Sequence, residues 1–159
     1  MAEDQKVVQD WETPSLEEIP VISRHDVARL EATGDPAEWT RGGMAYVVLR
    51  TLGRRSGNET KAALPVWLDS NGHRIVVASF AGATNHPDWY LNLADRDRNP
   101  EVLCKVEGKT YWSTPEILDG DEHATAWAQL TADRAWYNDY QAKTARRIPL
   151  VRLPESRPA

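Results

Sequence analysis

The alternation of apolar and polar positions divides the chain into short segments, most of which read as strands. Met44–Leu52 is the strongest. Tyr46, Val47, Val48 and Leu49 are consecutive, so the centre of this segment is apolar on both faces, as in a strand covered on both sides. Ala62–Leu68 and His73–Ser79 follow, joined by Asp69-Ser70-Asn71-Gly72, whose Asn-Gly pair tolerates the positive φ of a tight hairpin. Glu101–Val106 and Lys109–Ile117 form a second hairpin about Glu107-Gly108, and Ile148–Leu153 is a last strand. Helical spacing predicts Ser23–Ala32, capped by Ser23 and stopped by Gly34 and Pro36, and Pro87–Ala94, with proline in its first turn. Asp119–Ala132 is a longer helix in which Ala124, Trp127, Ala128 and Thr131 make one face. Ala135–Ala145 continues as helix or turns, and Trp39–Gly43 is a connector.

Six short strands with hairpin links argue against a doubly wound sheet, because parallel neighbours need crossovers of about a dozen residues. The pattern predicts an α+β protein: an antiparallel sheet curled into a small barrel, with peripheral helices. A chain of 159 residues suits one domain, here 21–159. Residues 1–20 read as a mobile or loosely docked acidic tail in which Pro14 and Pro20 break any helix.

Charge sharpens this division. The net charge is -5, and the tail (Glu3, Asp4, Asp10, Glu12, Glu17 and Glu18 against Lys6) carries all of it. The balanced remainder argues against nucleic-acid binding through a basic field. The single cysteine, Cys104, forbids an internal disulfide and a cysteine zinc site, and its strand-like setting makes it a core residue. The four histidines show no metal-ligand spacing, so no metal is expected. No apolar run nears the roughly 20 residues that span a bilayer. The acidic start lacks a signal peptide's apolar core, which points to the cytoplasm.

Three stretches carry candidate chemistry. Gly53-Arg54-Arg55-Ser56-Gly57 follows the strongest strand. Its glycines permit tight bends, its arginines suit phosphate or carboxylate, and Ser56 adds a hydroxyl; the same residues also make a good solvated hairpin turn. Its spacing matches neither a Walker loop nor a dinucleotide fingerprint. Ser79-Phe80-Ala81-Gly82 ends a strand with small residues against which a flat ring can lie. The helix from Pro87 brings Trp89 and Asn92 to one face, where Trp89 either covers a planar ligand or, with Leu93, packs the helix on the sheet. In Trp136-Tyr137-Asn138-Asp139-Tyr140-Gln141 the two tyrosines share a face, as proton or hydrogen-bond donors or as aromatic core.

Together these stretches resemble the deazaflavin-dependent nitroreductases, the actinobacterial reductases that use coenzyme F420. The likeness runs from about Met44 to Leu153 through Leu49–Gly57, Val77-Ala78-Ser79, His86–Leu93, Asn99-Pro100-Glu101-Val102, Asp139–Thr144 and Arg147–Val151. It implies a split β-barrel of the FMN-binding type. It also implies hydride transfer from F420H2 to a quinone, nitro compound or activated C=C bond, without a metal. By position, Arg54, Arg55, Ser56, Gly57 and Lys61 would meet the cofactor's phosphate and glutamate tail. Ser79, Ala81 and Gly82 would lie beside the ring, with Pro87, Trp89 and Asn92 framing it. Tyr137 and Tyr140 would border the acceptor, with Tyr137 or Ser79 polarising it.

Some positions depart from the family pattern. Thr60 stands where an arginine is usual, which weakens the tail contact unless Lys61 or Arg50 substitutes. Phe80-Ala81-Gly82 replaces lysine-glycine-glycine. Arg134 replaces an aromatic, and Ala135 the local proline. Alternatives of the same fold are a non-catalytic deazaflavin or fatty-acid binder and an FMN-binding relative. The expected partner is a small-molecule acceptor, with the protein a monomer or weak dimer and peripheral membrane contact open.

Overall fold

The apolar run at 44–52 is the axis of the fold. The computed structural model describes residues 5–159. Its strands are β1 (Thr40–Arg41), β2 (Met44–Leu52), β3 (Glu59–Leu68), β4 (Arg74–Val77), β5 (Val102–Val106), β6 (Lys109–Ser113), β7 (Glu116–Ile117), β8 (Leu150–Arg152) and β9 (Arg157–Pro158). Its helices are α1 (Glu18–Ala32), α2 (Asp88–Ala94), α3 (Gly120–Asp133) and α4 (Trp136–Ala142). The strands form one antiparallel sheet in the order β7-β8-β4-β3-β2-β5-β6-β9, with β1 also on β2, curled into a half-barrel. This is the expected α+β barrel architecture, with nine strands among the described residues where the sequence suggested six.

β2 is central because both of its sides and both of its faces are used. It pairs with β3 from Ala45↔Val66 to Leu52↔Glu59 and with β5 through Leu49↔Cys104. Val47 and Leu49 face a core of Val66, Val76, Leu93, Val102, Cys104 and Val151, while Val48 faces Val27, Leu30, Trp39 and Ala63 beneath α1. Each fully buried aliphatic side chain of this kind contributes about 1.5–3 kcal/mol. Burial pushes the Cys104 thiol up to about 12, so it stays protonated and inert. The Asn71-Gly72 and Glu107-Gly108 hairpins form as read, with Gly72 and Gly108 at φ 78°.

Several boundaries differ from the sequence reading. α1 begins at Glu18 rather than Ser23. Pro20 falls in its first turn, where the missing N–H costs nothing, and Ser23 instead accepts a bond from the Ala63 N–H at 3.0 Å. Thr114-Pro115 separates β6 from β7 within the expected strand 109–117. The buried face of α3 is His123, Ala126 and Leu130, one position off the expected Ala124, Trp127, Ala128 and Thr131. His123 turns inward because its ring Nε2 bonds the Ile148 carbonyl at 2.8 Å, while Trp127 stacks over that ring at the edge.

The segment from Gln5 to Glu17, part of the expected tail, lies against the domain. The Gln5 amide bonds the Leu68 carbonyl and N–H at 2.9 and 2.7 Å, and the Val7 N–H bonds the Asp133 carbonyl at 2.9 Å. Trp11 meets Trp136 edge-on at 5.2 Å, and the Thr13 hydroxyl lies 3.2 Å from that of Tyr140. Met1–Asp4 fall outside the described residues.

A buried asparagine fastens the end of β2. Asn99, 2% exposed, accepts the Leu52 N–H at 2.7 Å and donates to the carbonyls of Leu52 and Asn92, both at 2.8 Å. Asn99→Ala leaves the Leu52 N–H and carbonyl unpaired at the root of the Gly53–Gly57 loop and removes one of two donors from the Asn92 carbonyl, which keeps the Asp95 N–H. The expected loss is about 3 kcal/mol of stability, given about 1–3 kcal/mol per buried unsatisfied group. Urea unfolding measures it, and a loss below about 1 kcal/mol would contradict this role.

Candidate functional site

The loop that leaves β2 closes on itself. Gly53 N–H bonds the Asn58 carbonyl at 2.7 Å, Gly57 N–H bonds the Gly53 carbonyl at 2.8 Å, and Ser56 Oγ accepts the Asn58 N–H at 3.0 Å. A Cβ at Gly53 would sit 2.6 Å from Ser56 Oγ, so a side chain there would push that hydroxyl off the Asn58 N–H. Arg54 is anchored: its N–H and Nη1 donate to Asn92 Oδ1 at 3.1 and 2.9 Å, and its Nη2 lies 3.3 Å from Asp88 Oδ1. Arg55 is exposed, and among the described residues it has no ion pair, while the N–H groups of Arg55 and Ser56 have no acceptor. The exposed guanidinium of Arg98 lies against Gly57, where a Cβ would strike it. Arg98, which the sequence reading did not single out, therefore joins this cluster.

Asn92 is 4% exposed and its carboxamide is committed inside the protein. Besides holding Arg54, it donates to the hydroxyls of Thr51 and Thr60, both at 3.3 Å, and those hydroxyls lie 3.0 Å apart. Its carboxamide oxygen is taken by Arg54 and its N–H groups by the two threonines. Thr60 thus fills a slot facing α2. Lys61 is the next residue on β3, and strand alternation turns it to the opposite face. There it pairs with Glu31 at 2.8 Å and Glu59 at 3.6 Å, and Arg50 pairs with Glu59 at 3.2 Å. They line a groove of about 200 Å³ under α1. Lys61 and Arg50, the two residues expected to substitute for an arginine at position 60, thus lie together on the α1 face, across the sheet from Thr60 and Asn92.

α2 connects this loop to the turn at 79–82. Pro87 caps the helix, Leu93 is buried in the core, and half-buried Trp89 packs beside it. The turn has an unusual backbone. Ser79 is right-handed (φ -78°, ψ -39°), and Phe80, Ala81 and Gly82 follow at φ 44°, 53° and 80°. A left-handed residue other than glycine costs about 1–2 kcal/mol, and such strain persists only where the surroundings impose it. On one side α4 presses on the turn: a Cβ at Gly82 would collide with the Tyr140 carbonyl oxygen, which requires glycine. On the other side stands Arg146, the second residue the sequence reading missed. It donates from Nε to the Ala83 carbonyl at 2.8 Å, from Nη1 to Ala78 at 3.1 Å and from Nη2 to Ser79 at 2.7 Å. His86 Nδ1 lies 3.2 Å from Arg146 Nη1. Burial, and secondarily the Arg146 charge, lower the His86 pKa, which favours the neutral imidazole that accepts this bond. No local sequence signal marks Arg146, because its partners are carbonyls more than sixty positions away.

The tyrosines of α4 are 5% (Tyr137) and 8% (Tyr140) exposed, with rings 6.0 Å apart edge to face. Burial pushes the Tyr137 phenol up to about 12, and the Arg134 charge opposes that rise. Arg134 is itself 2% exposed, and burial lowers its pKa. Its guanidinium faces Tyr137, Asp133 and Tyr46, and its Nε has no partner among the described residues.

These parts follow one another: cationic loop, α2, strained turn, tyrosine pair. α2 leads from the turn to the loop, and Arg54 reaches it at both Asp88 and Asn92. The arrangement suits an elongated ligand that is anionic at one end and planar at the other. Among the described residues, no group of three or more His, Cys, Asp or Glu could hold a metal ion, and no helix is long and apolar enough to cross a membrane.

Comparison with known proteins identifies the family. The chain is similar to an F420H(2)-dependent quinone reductase of Mycobacterium tuberculosis, 26% identical over 138 residues that cover 85% of this chain and 90% of the relative. It is similar in structure to the F420-H2 dependent reductase FDR-A, with TM-score 0.57 and 31% identity over 69% of this chain and 93% of the other. A structure described as a domain-swapped dimer matches with TM-score 0.60 and 28% identity over 82% of this chain and 96% of that one. The family model described as F420H(2)-dependent quinone reductase matches residues 22–155. The chain belongs to the F420H(2)-dependent quinone reductase family.

Proposed function

We propose that this protein transfers a hydride from reduced coenzyme F420 to a quinone, with nitro compounds and activated C=C bonds as further acceptor types. The observation that carries this reading is the order of groups along the site, cations at one end and buried tyrosines at the other, joined by the strained turn. The residues present fit the cofactor. Arg55, Arg98, the Ser56 hydroxyl and the open N–H groups of Arg55 and Ser56 supply donors for its phosphate and carboxylates, and Arg54 holds the loop to α2. Ser79, Ala81 and Gly82 back the ring, with Pro87 and Trp89 at its side.

When bound, F420 supplies a two-electron hydride donor, because carbon replaces the reactive nitrogen of a flavin. The protein's part is orientation, exclusion of water and control of one proton. Hydride addition to a quinone leaves negative charge on its oxygen. A phenol held at about 12 stays protonated near neutral pH, so Tyr137 donates a hydrogen bond to that oxygen, and Arg134 steadies the charge. One proton and one hydride then convert quinone to quinol. Thr13 holds the hydrogen-bonding position at the Tyr140 hydroxyl that an acceptor oxygen would take, so acceptor entry displaces that segment. In this reading the protein works in the cytoplasm, and the exposed Val21 and Ile22 of α1 offer apolar contact at a membrane face when the quinone is lipid-borne.

Fluorescence titration with oxidised F420 tests the reading; absence of binding at micromolar concentrations would sink it. Arg54→Ala with Arg55→Ala is expected to weaken F420 binding at least about tenfold, while Lys61→Ala stays within about twofold because it lies on the other face. The reverse ranking would refute the assignment. Tyr137→Phe is expected to lower turnover of menadione at least about tenfold with F420 affinity kept, as loss of a hydrogen-bond or proton donor does. Unchanged turnover removes Tyr137 from the chemistry.

A further inference from the structure

The turn at Ser79–Gly82 holds two consecutive non-glycine residues in the left-handed region, yet nothing in its own sequence favours that conformation. Phe80 and Ala81 have neither the short polar side chain of asparagine nor the freedom of glycine. The restraint comes from outside. Arg146 has five N–H donors in a rigid fork, and it contacts three carbonyls of the loop, those of Ala78, Ser79 and Ala83, together with His86 Nδ1. Its own placement is fixed by Gln141. The Gln141 side chain accepts the Ile148 N–H at 2.9 Å and donates to the Arg146 carbonyl at 2.7 Å, bridging the turn after α4.

The carbonyls drawn to Arg146 leave a complementary set behind. The N–H groups of Ser79, Phe80 and Ala81 have no acceptor among the described residues, whereas those of Gly82 and Ala83 close the turn on the Ser79 and Phe80 carbonyls at 2.9 and 3.0 Å. A right-handed residue followed by a left-handed one points successive N–H groups to one side, and three such groups form a concave donor site for an oxygen bearing negative charge. Ser79 and Phe80 have this succession.

We infer that Arg146 is the positioning residue of the reductase site: by holding the carbonyls of Ala78, Ser79 and Ala83 it keeps the strained turn in place, so that the N–H groups of Ser79, Phe80 and Ala81 face the ligand as a donor nest for a ring or acceptor oxygen. The ligand side of this inference rests on the F420 reading above. The clamp itself does not, and can be read in the ligand-free protein. Lysine at position 146 keeps the charge but carries its three N–H donors on one nitrogen, which cannot span carbonyls that Arg146 reaches from three.

The test compares the full-length protein with Arg146→Lys and with Arg146→Lys carrying Ala81→Gly, by amide hydrogen exchange without ligand, by F420 titration and by turnover at saturating substrates. The expected result for Arg146→Lys is at least about tenfold faster exchange of the Gly82 and Ala83 amides, with the β2–β3 amides within about twofold. F420 affinity is expected to change less than about threefold while turnover falls at least about tenfold, a split that a general loss of structure does not produce. Ala81→Gly, which removes the strain at one of the two left-handed residues, is expected to restore part of the protection. Unchanged exchange at Gly82 and Ala83, or a loss spread evenly over the sheet, overturns the inference. Failure of both variants to fold also overturns it, since Arg146 would then hold the domain rather than the turn. If the wild-type protein does not bind F420 but Arg146→Lys frees the two amides, the cofactor reading fails and the clamp stands.

Discussion

The site depends on a knot of two buried asparagines. Asn99 ties the last residue of β2 to the backbone of α2, and Asn92 ties α2 back to Arg54 and to the threonines at the end of the β2–β3 ladder. Each carboxamide offers two donors and two acceptor sites in one plane. Asn92 uses them to reach three segments distant in sequence. Without this knot the Gly53–Gly57 loop would be an ordinary solvated turn and α2 would be held to the sheet only by its apolar face. With it, the cationic loop is bonded directly to the helix leading from the strained turn.

The sheet separates two kinds of charge. On the α2 face, Arg55 and Arg98 stand without ion pairs among the described residues. On the α1 face, Arg50 and Lys61 are matched by Glu31 and Glu59. Exposed pairs of this kind contribute little to stability, about 0–1 kcal/mol each. Their effect is on the field: they cancel positive charge on one side of the sheet and leave it on the other. A one-residue step along β3, from Thr60 to Lys61, crosses that divide.

Much of the fold was legible because strand periodicity and turn chemistry are local. β2 has the bounds read from its apolar run, and the Asn-Gly and Glu-Gly hairpins lie where their glycines place them. The α1 start was missed because Pro20 breaks a helix in its interior but not in its first turn. The α3 face was misjudged because a histidine that bonds a distant carbonyl counts as polar in any pattern. For the candidate site, the loop, the turn and the tyrosines carried recognisable residue types. Arg98 and Arg146 did not, since an arginine's role is set by the backbone it reaches. Lys61 looked suitable by charge and nearness in sequence, and strand alternation sets it on the α1 face beside Glu31.

Cys104 adds a practical consequence. It is the one sulfhydryl in the chain, fully enclosed between β2 and β6, and held protonated by its surroundings. Alkylating reagents attack the thiolate, so the native protein resists them, and its reaction rate follows how often the sheet opens at β5. The cysteine shares its core with Leu93 and Trp89 of α2. The molecule thus carries an intrinsic chemical gauge of breathing beneath α2, the helix between the cationic loop and the strained turn.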